Sequence, residues 1–146
     1  MSEFQPRQRD YRTMVHTIME QMPVFGHLGL SIAALGPGSA EIVLPVTPEL
    51  TFDGRHVQGG IVGALLDFAG GVSALTLAPE GETIRTLGYE THHLGPSDGQ
   101  RLVAVGRVVK PGRNQGLNHV DVFAERGGER RLCAAGHVTT AWVPLG

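Results

Sequence analysis

The sequence predicts an α+β domain in which one long apolar helix is wrapped by an antiparallel sheet, and three observations lead there. The stretch Gly60 to Leu77 is apolar on every side apart from Asp67. A hairpin-like pair of apolar runs precedes it, and four strand-like runs follow it, separated by turns rich in glycine and proline. A helix without a polar face has to be enclosed, and strands joined by short turns supply an antiparallel enclosure.

Taken in order, Asp10 to Met22 sets Tyr11, Met14, Val15, Ile18, Met19 and Met22 at helical spacing, with Arg12, His16, Glu20 and Gln21 around them. This predicts an N-terminal amphipathic helix that covers something, preceded by a flexible segment over 1–9. The hairpin is expected over Leu28 to Leu35 and Ala40 to Val46, turning at Gly36-Pro37-Gly38, with Pro45 and Pro48 ending its second strand. The central helix runs from about Gly60 to Leu77 and is broken by Ala78-Pro79-Glu80-Gly81. Strands are expected at Thr83 to Leu94, Leu102 to Lys110, Leu117 to Glu125 and Arg131 to Val143, with turns at Pro96 to Gly99, Pro111 to Gly116 and Gly127-Gly128.

Composition narrows the function. A chain of 146 residues with 41% hydrophobic content suits one domain, 1–146, built on one core. Twelve basic against 14 acidic residues leave a net charge of −2, too weak a field to gather nucleic acid or an anionic membrane. Small molecules and other copies of the chain are the expected partners. The single cysteine, Cys133, excludes an internal disulfide and makes a thiolate metal site improbable, and a cytoplasmic home is expected. The first ten residues have no apolar core and Asp67 interrupts the apolar run, so neither a signal peptide nor a membrane span is expected. No serine sits in a nucleophile elbow, no glycine-rich phosphate loop is present, and no histidine pair has the helical spacing of a metal site. His92 and His93, adjacent on a strand, leave opposite faces and cannot share a metal, so none is expected.

Asp67 is the only charged residue between Gly60 and Ala78. A buried carboxylate costs several kcal/mol unless it is hydrogen-bonded or neutralised, so something must answer it. It is either a structural group bound to the sheet or a base or nucleophile in a cleft. Gly59 and Gly60 open the same helix, where the first N–H groups lack partners and the dipole attracts negative charge. They are either a plain turn or an oxyanion site. Eight residues separate Gly59 from Asp67, which at a rise of ~1.5 Å is ~12 Å along the helix. The two cannot reach one carbonyl carbon from one chain; to cooperate, Asp67 must come from a second chain related by a two-fold axis. Gly70 and Gly71 in the helix interior call for a partner backbone or a ligand close by, or else leave the helix loose.

Gln58-Gly59-Gly60, six further residues and Asp67 resemble the signature of the PaaI-like hotdog-fold acyl-CoA thioesterases, the 4-hydroxybenzoyl-CoA thioesterase type. The stretch TLGYETHHLGP and the pair GRVVKPGRNQGLNHVDVFAE resemble two further family segments, so the likeness spans about Leu28 to Val143. It implies a hotdog fold, at least a dimer (homodimer or dimer of dimers), and sites at the subunit interface. It also implies an acyl-CoA substrate, with coenzyme A entering as part of that substrate rather than as a cofactor. In the implied roles, Gly59 donates its N–H to the thioester oxygen, Asp67 of the other subunit is base or nucleophile, and Gln58 hydrogen-bonds the acyl group or thioester. Gly60, Gly71 and His92 are expected to line the substrate site, and Arg107, Lys110 and Arg113 either to hold the phosphates of coenzyme A or to be solvated residues on strand ends.

The sequence departs from the family at Phe52, where many members carry an asparagine, at His56, where a small residue is commoner, and at Gly95, which replaces an arginine. His56 or Asp53 is expected to stand in for the asparagine, or His56 to be a solvated loop residue; Phe52 shapes the acyl pocket or is a core aromatic. Thioester hydrolysis is the expected activity. A non-catalytic acyl-CoA-binding module on the same fold is the alternative; a hydratase, which wants an Asp/His pair in another motif, is a third.

Overall fold

The computed structural model describes residues 3–146. Helix α1 spans Tyr11–Glu20 and α2 Pro23–His27; strands β1 (Ser31–Gly36) and β2 (Ser39–Pro45) form the hairpin. A 3-10 turn at Pro48–Leu50 leads to α3, Gly59–Leu75, and then to β3 (Glu82–His93), β4 (Arg101–Lys110), β5 (Gln115–Arg126) and β6 (Glu129–Pro144). Among the described residues, the six strands form one antiparallel sheet in the order β1-β2-β4-β5-β6-β3. The sheet wraps α3 in the hotdog arrangement, as the sequence predicts.

Two short elements depart from expectation for local reasons. The first helix stops at Glu20 because Pro23, lacking an N–H, cannot continue its ladder; it instead opens α2 at a position that suits proline. That extra turn takes up Pro23–His27, and Gly29 reverses the chain at φ +72°, so β1 begins at Ser31 rather than Leu28. Residues 3–9, expected to be loose, lie against the body: Gln8 donates to the carbonyls of Ala78 and Pro79 at 2.9 and 3.1 Å, and the Phe4 ring covers Gly38. Residues 1 and 2 of that segment lie outside the described residues.

The core joins Val15 and Met19 of α1 to Val62, Leu65, Leu66, Ala69 and Val72 of α3 and to the inner faces of β2, β4, β5 and β6. The interior glycines of α3 find their reason here. A Cβ at Gly70 would lie 2.5 Å from Val138 Cγ2, and one at Gly106 of β4 would run into the Ala69 carbonyl. The helix and its own sheet are therefore in near-backbone contact, which offsets the ~1 kcal/mol that glycine costs inside a helix. For Gly70 the close neighbour is this chain's sheet and not a partner. Cys133 is buried, and burial pushes its thiol up to about 11, so it is not a nucleophile at neutral pH. No helix among the described residues is long and apolar enough to cross a membrane.

The two sheet edges differ. Edge strand β1 has six residues and a register break at Ile32/Ala34. Edge strand β3 has twelve and leaves Leu87 and Tyr89 about half exposed, with Leu94 exposed just beyond its end. A long apolar edge is a template for another strand, whereas a short, bulged one is protected.

Candidate active site

Asp67 lies in the middle of α3, half-buried, and one of its oxygens accepts a hydrogen bond of 2.7 Å from the Thr86 hydroxyl. Burial raises its carboxyl above the ordinary 3.8, and the Thr86 bond opposes that rise only in part. Asp67 opens on a cavity of about 260 Å³ between α1, α3 and β3. Ile18, Met19 and Met22 roof the cavity, and Phe68, Val72 and Ile84 line its walls. Gly71 also faces it, opposite the Ile84 side chain. Apart from Asp67, the polar lining is confined to threonines of β3.

Thr86 reaches Asp67 because of a bulge. The register of β3 against β6 shifts between Thr86 and Gly88, leaving Leu87 as the extra residue. Beyond the bulge Tyr89, Thr91 and His93 face α3: Tyr89 and Thr91 lie over Gly63, and His93 lies over Gly59. Before it, Ile84 and Thr86 face α3.

The start of α3 is a different environment. Gln58 caps the helix, its side-chain carbonyl accepting from the Ile61 N–H at 3.1 Å while its backbone carbonyl accepts the first helical bond, from Val62. The N–H groups of Gly59 and Gly60 stand ahead of that ladder. A Cβ at Gly60 would sit 2.9 Å from Gln58 Oε1, so glycine leaves room for the cap to fold back. A shallow pocket of about 250 Å³ lies over this end, lined by Phe52, His56, Gly59, His93, Gly95 and Ser97 among others. His56 pairs with Asp53 at 2.6 Å, and its backbone N–H, then its ring, hold the Asp53 carboxyl down at about 2. The Phe52 ring stacks on His56 with centroids 5.9 Å apart.

The two cavities share no lining residue, so one chain does not bring Asp67 to the Gly59 N–H. A half-buried carboxylate stands in one and the Gly59 end of the helix in the other. The thioesterase-superfamily model matches residues 54–130, from the loop before α3 through the β5–β6 turn. The chain belongs to the thioesterase superfamily.

Similar proteins agree. A thioesterase family protein of Silicibacter pomeroyi, known from its crystal structure, is 31% identical with a TM-score of 0.88, over 92% of this chain and 98% of that one. A Haemophilus influenzae protein named as an esterase is 27% identical over 119 residues, 82% of this chain and 84% of its own. The E. coli PaaI protein from the phenylacetic acid degradation operon shares the fold, with a TM-score of 0.81 and 18% identity over 91% of this chain and 93% of that one. Membership makes thioester hydrolysis the general chemistry to be explained.

Within one chain, several expected site residues lie away from both cavities. His92 leaves β3 on the outer face, two-thirds exposed and 3.9 Å from Glu90, because the parity of β3 beyond the bulge turns His93 inward instead. Arg107, Lys110 and Arg113 line neither the Asp67 cavity nor the Gly59 pocket. Arg107 lines a separate groove with Pro37 and Ser39; Lys110 ends β4 and Arg113 lies in the β4–β5 turn, whose Pro111 shares a small pocket with Ala74 and Leu77 at the far end of α3. Phe52 is 68% exposed at the pocket rim and is not a core aromatic. Thr86 and His93 were not anticipated. The adjacent His92 and His93 signal that one of them faces inward without saying which, and no sequence signal marks the bulge that brings Thr86 in.

Proposed function

We propose that the protein hydrolyses an acyl-CoA or aryl-CoA thioester to the free acid and coenzyme A, at sites formed by two copies of the chain. The observation that carries this is the division of labour along α3. The carboxylate with raised proton affinity stands in an apolar cavity, while the Gly59 N–H, ahead of the helical ladder, stands in a separate pocket. A two-fold pairing that lays two α3 helices antiparallel brings each Asp67 toward the other chain's Gly59. The long edge of β3, with Leu87, Tyr89 and Leu94 exposed, supports pairing along that strand.

In the proposed reaction the thioester carbonyl oxygen points at the Gly59 N–H and the acyl group enters the cavity beside the other chain's Asp67. Asp67 takes a proton from water as the water oxygen bonds to the carbonyl carbon. The tetrahedral oxyanion is stabilised by the Gly59 N–H and the positive end of the α3 dipole. The carbonyl re-forms as the C–S bond breaks, and coenzyme A leaves as the thiolate. A raised proton affinity suits Asp67 to this work, since a base operates best when its own value approaches the working pH. Gln58, whose carbonyl is used in capping, has its amide N–H groups to offer the substrate. His56, held by Asp53 and stacked beside Phe52, is the group proposed to stand in for the asparagine that the family carries at that position.

The test is thiol release from a panel of aryl, short-chain and long-chain acyl-CoA thioesters, with Asp67→Ala alongside. Release by the wild type, lost in a variant that still melts cooperatively and no earlier than the wild type, supports hydrolysis. Tight binding of acyl-CoA with no thiol released would instead establish the non-catalytic module.

A further inference from the structure

Asp98 is 5% exposed, on the loop after β3, and three arginines converge on it from separate parts of the chain. Arg55 approaches its Oδ2 through Nε at 3.1 Å and Nη2 at 3.0 Å, and Arg131 its Oδ1 at 2.7 Å, while Arg126 stands 4.0 Å from Oδ2. Burial alone would raise the Asp98 carboxyl, but the bonds from Arg55 and Arg131 outweigh it and hold it below the ordinary range. It is a fixed negative charge, and each arginine remains more than half exposed.

The neighbouring ion-pair group gives the comparison. Arg101 and Arg130 meet Glu125 at 2.6 and 2.9 Å, and Arg130 also meets Glu41 at 3.2 Å, so two cations face two carboxylates. At Asp98 three cations face one. The next carboxylate, Asp53, is taken up by His56 and by the backbone N–H groups of Arg55 and His56. Cationic capacity is left over, on side chains already held in place by a buried partner.

That surplus lies on the rim of the Gly59 pocket. Arg131 also donates to the Pro96 carbonyl at 3.3 Å, His56 comes within 3.9 Å of Asp98, and Pro96 and His56 both line the pocket. Beside them is Phe52, an exposed ring stacked on His56 and able to take a planar base on its outer face. Guanidinium groups suit phosphate oxygens, to which they donate paired hydrogen bonds.

We propose that Arg55, Arg126 and Arg131, gathered on Asp98 beside the Phe52–His56 stack, bind the phosphorylated adenine-nucleotide end of coenzyme A. The site rests on the acyl-CoA reading above and gives that substrate a direction. The thioester lies at Gly59, the acyl group passes to the other chain's Asp67 cavity, and the nucleotide stays on the rim of the chain that supplies Gly59. It takes the place expected for Arg107, Lys110 and Arg113, and supplies positive charge beside Gly95, where the family carries arginine.

The experiment is calorimetric titration of the full chain with free coenzyme A and with pantetheine, which lacks the nucleotide and its phosphates. Wild type is expected to bind coenzyme A at least tenfold more tightly than pantetheine, in a manner weakened by salt. Arg126→Ala, which removes the arginine Asp98 uses least, is expected to weaken coenzyme A about tenfold and leave pantetheine unchanged. Arg131→Ala is expected to do the same, and Arg101→Ala, from the balanced group, to change neither. Equal affinity of wild type for the two ligands, or an Arg126→Ala protein with wild-type affinity for coenzyme A, would overturn the site. Because the ligand is the free product, the outcome is independent of turnover. Arginine-dependent binding without thiol release would overturn hydrolysis alone, and thiol release with an unchanged KM for acyl-CoA in Arg126→Ala would overturn this site alone.

Discussion

The two cavities along α3 are unlike in kind. The one at mid-helix is apolar, roofed by Ile18, Met19 and Met22, and contains a carboxylate answered by a single hydroxyl. The one at the helix start has the Gly59 N–H ahead of the hydrogen-bond ladder, two imidazoles and a rim of arginines. An acyl group suits the first environment and a developing oxyanion the second, yet the helix itself keeps them apart. On the function proposed above, each supplies what the other lacks, and a second copy facing the first completes the site.

The largest effect is expected at the mid-helix end. Asp67→Asn removes the base and should lower kcat by about 10²–10⁴-fold. Stability should move the other way. The folded-state value of Asp67 lies above the ordinary 3.8, so the folded chain binds the proton more readily, and this group's contribution falls as pH rises through that window. At neutral pH the ionised carboxylate therefore weakens the fold, and Asp67→Asn should gain about 1 kcal/mol in chemical denaturation. Unchanged turnover with lower stability would make Asp67 a structural anchor.

At the other end, Gly59→Pro removes the N–H with little change of backbone. Proline is favoured at the first helical position, and Gln58 already has ψ 139°, the extended value a residue before proline adopts. Loss of this donor should cost about 10²–10³-fold in kcat. Leu87→Lys puts a charge on the β3 edge and should weaken self-association by about tenfold or more, so that specific activity falls on dilution. Sedimentation and activity measured over the same concentration series check it.

The smallest effect sharpens the electrostatics. Thr86→Val removes the one hydrogen bond that stabilises ionised Asp67, so the acid limb of the pH–rate profile should move to higher pH. On that limb the rate should fall by roughly fivefold, the equivalent of about 1 kcal/mol. An unmoved limb would separate Asp67 from the titration that governs the rate.

Much of this was legible in the sequence because it depends on local pattern. An all-apolar helix interrupted by one Asp, opened by two glycines and bracketed by strand-like runs, specifies α3 and its enclosure without knowledge of the sheet order. The separation of Gly59 from Asp67 follows from helical rise alone. What was not legible depends on register and on distant contacts. Counting strict alternation back from His93 puts Leu87 and Arg85 on the inner face; the bulge at Leu87 reverses that parity and turns Thr86 toward Asp67. Adjacent histidines on a strand say that one faces inward, and only the register chooses His93 over His92. The arginines at Asp98 come from the loop before α3, the end of β5 and the start of β6, a meeting that sequence spacing does not encode.

The central claim is that catalysis needs Asp67 of one chain and Gly59 of another, and mixing two inactive variants tests it most directly. Asp67→Asn and Gly59→Pro proteins, unfolded together and refolded in equal amounts, give mixed pairs with one intact combination of Gly59 and Asp67. Half of the pairs are mixed, each with one of two sites restored, so about a quarter of wild-type activity should return. Activity no greater than that of the separate variants, in a preparation shown by mass spectrometry to contain the mixed pair, would contradict it.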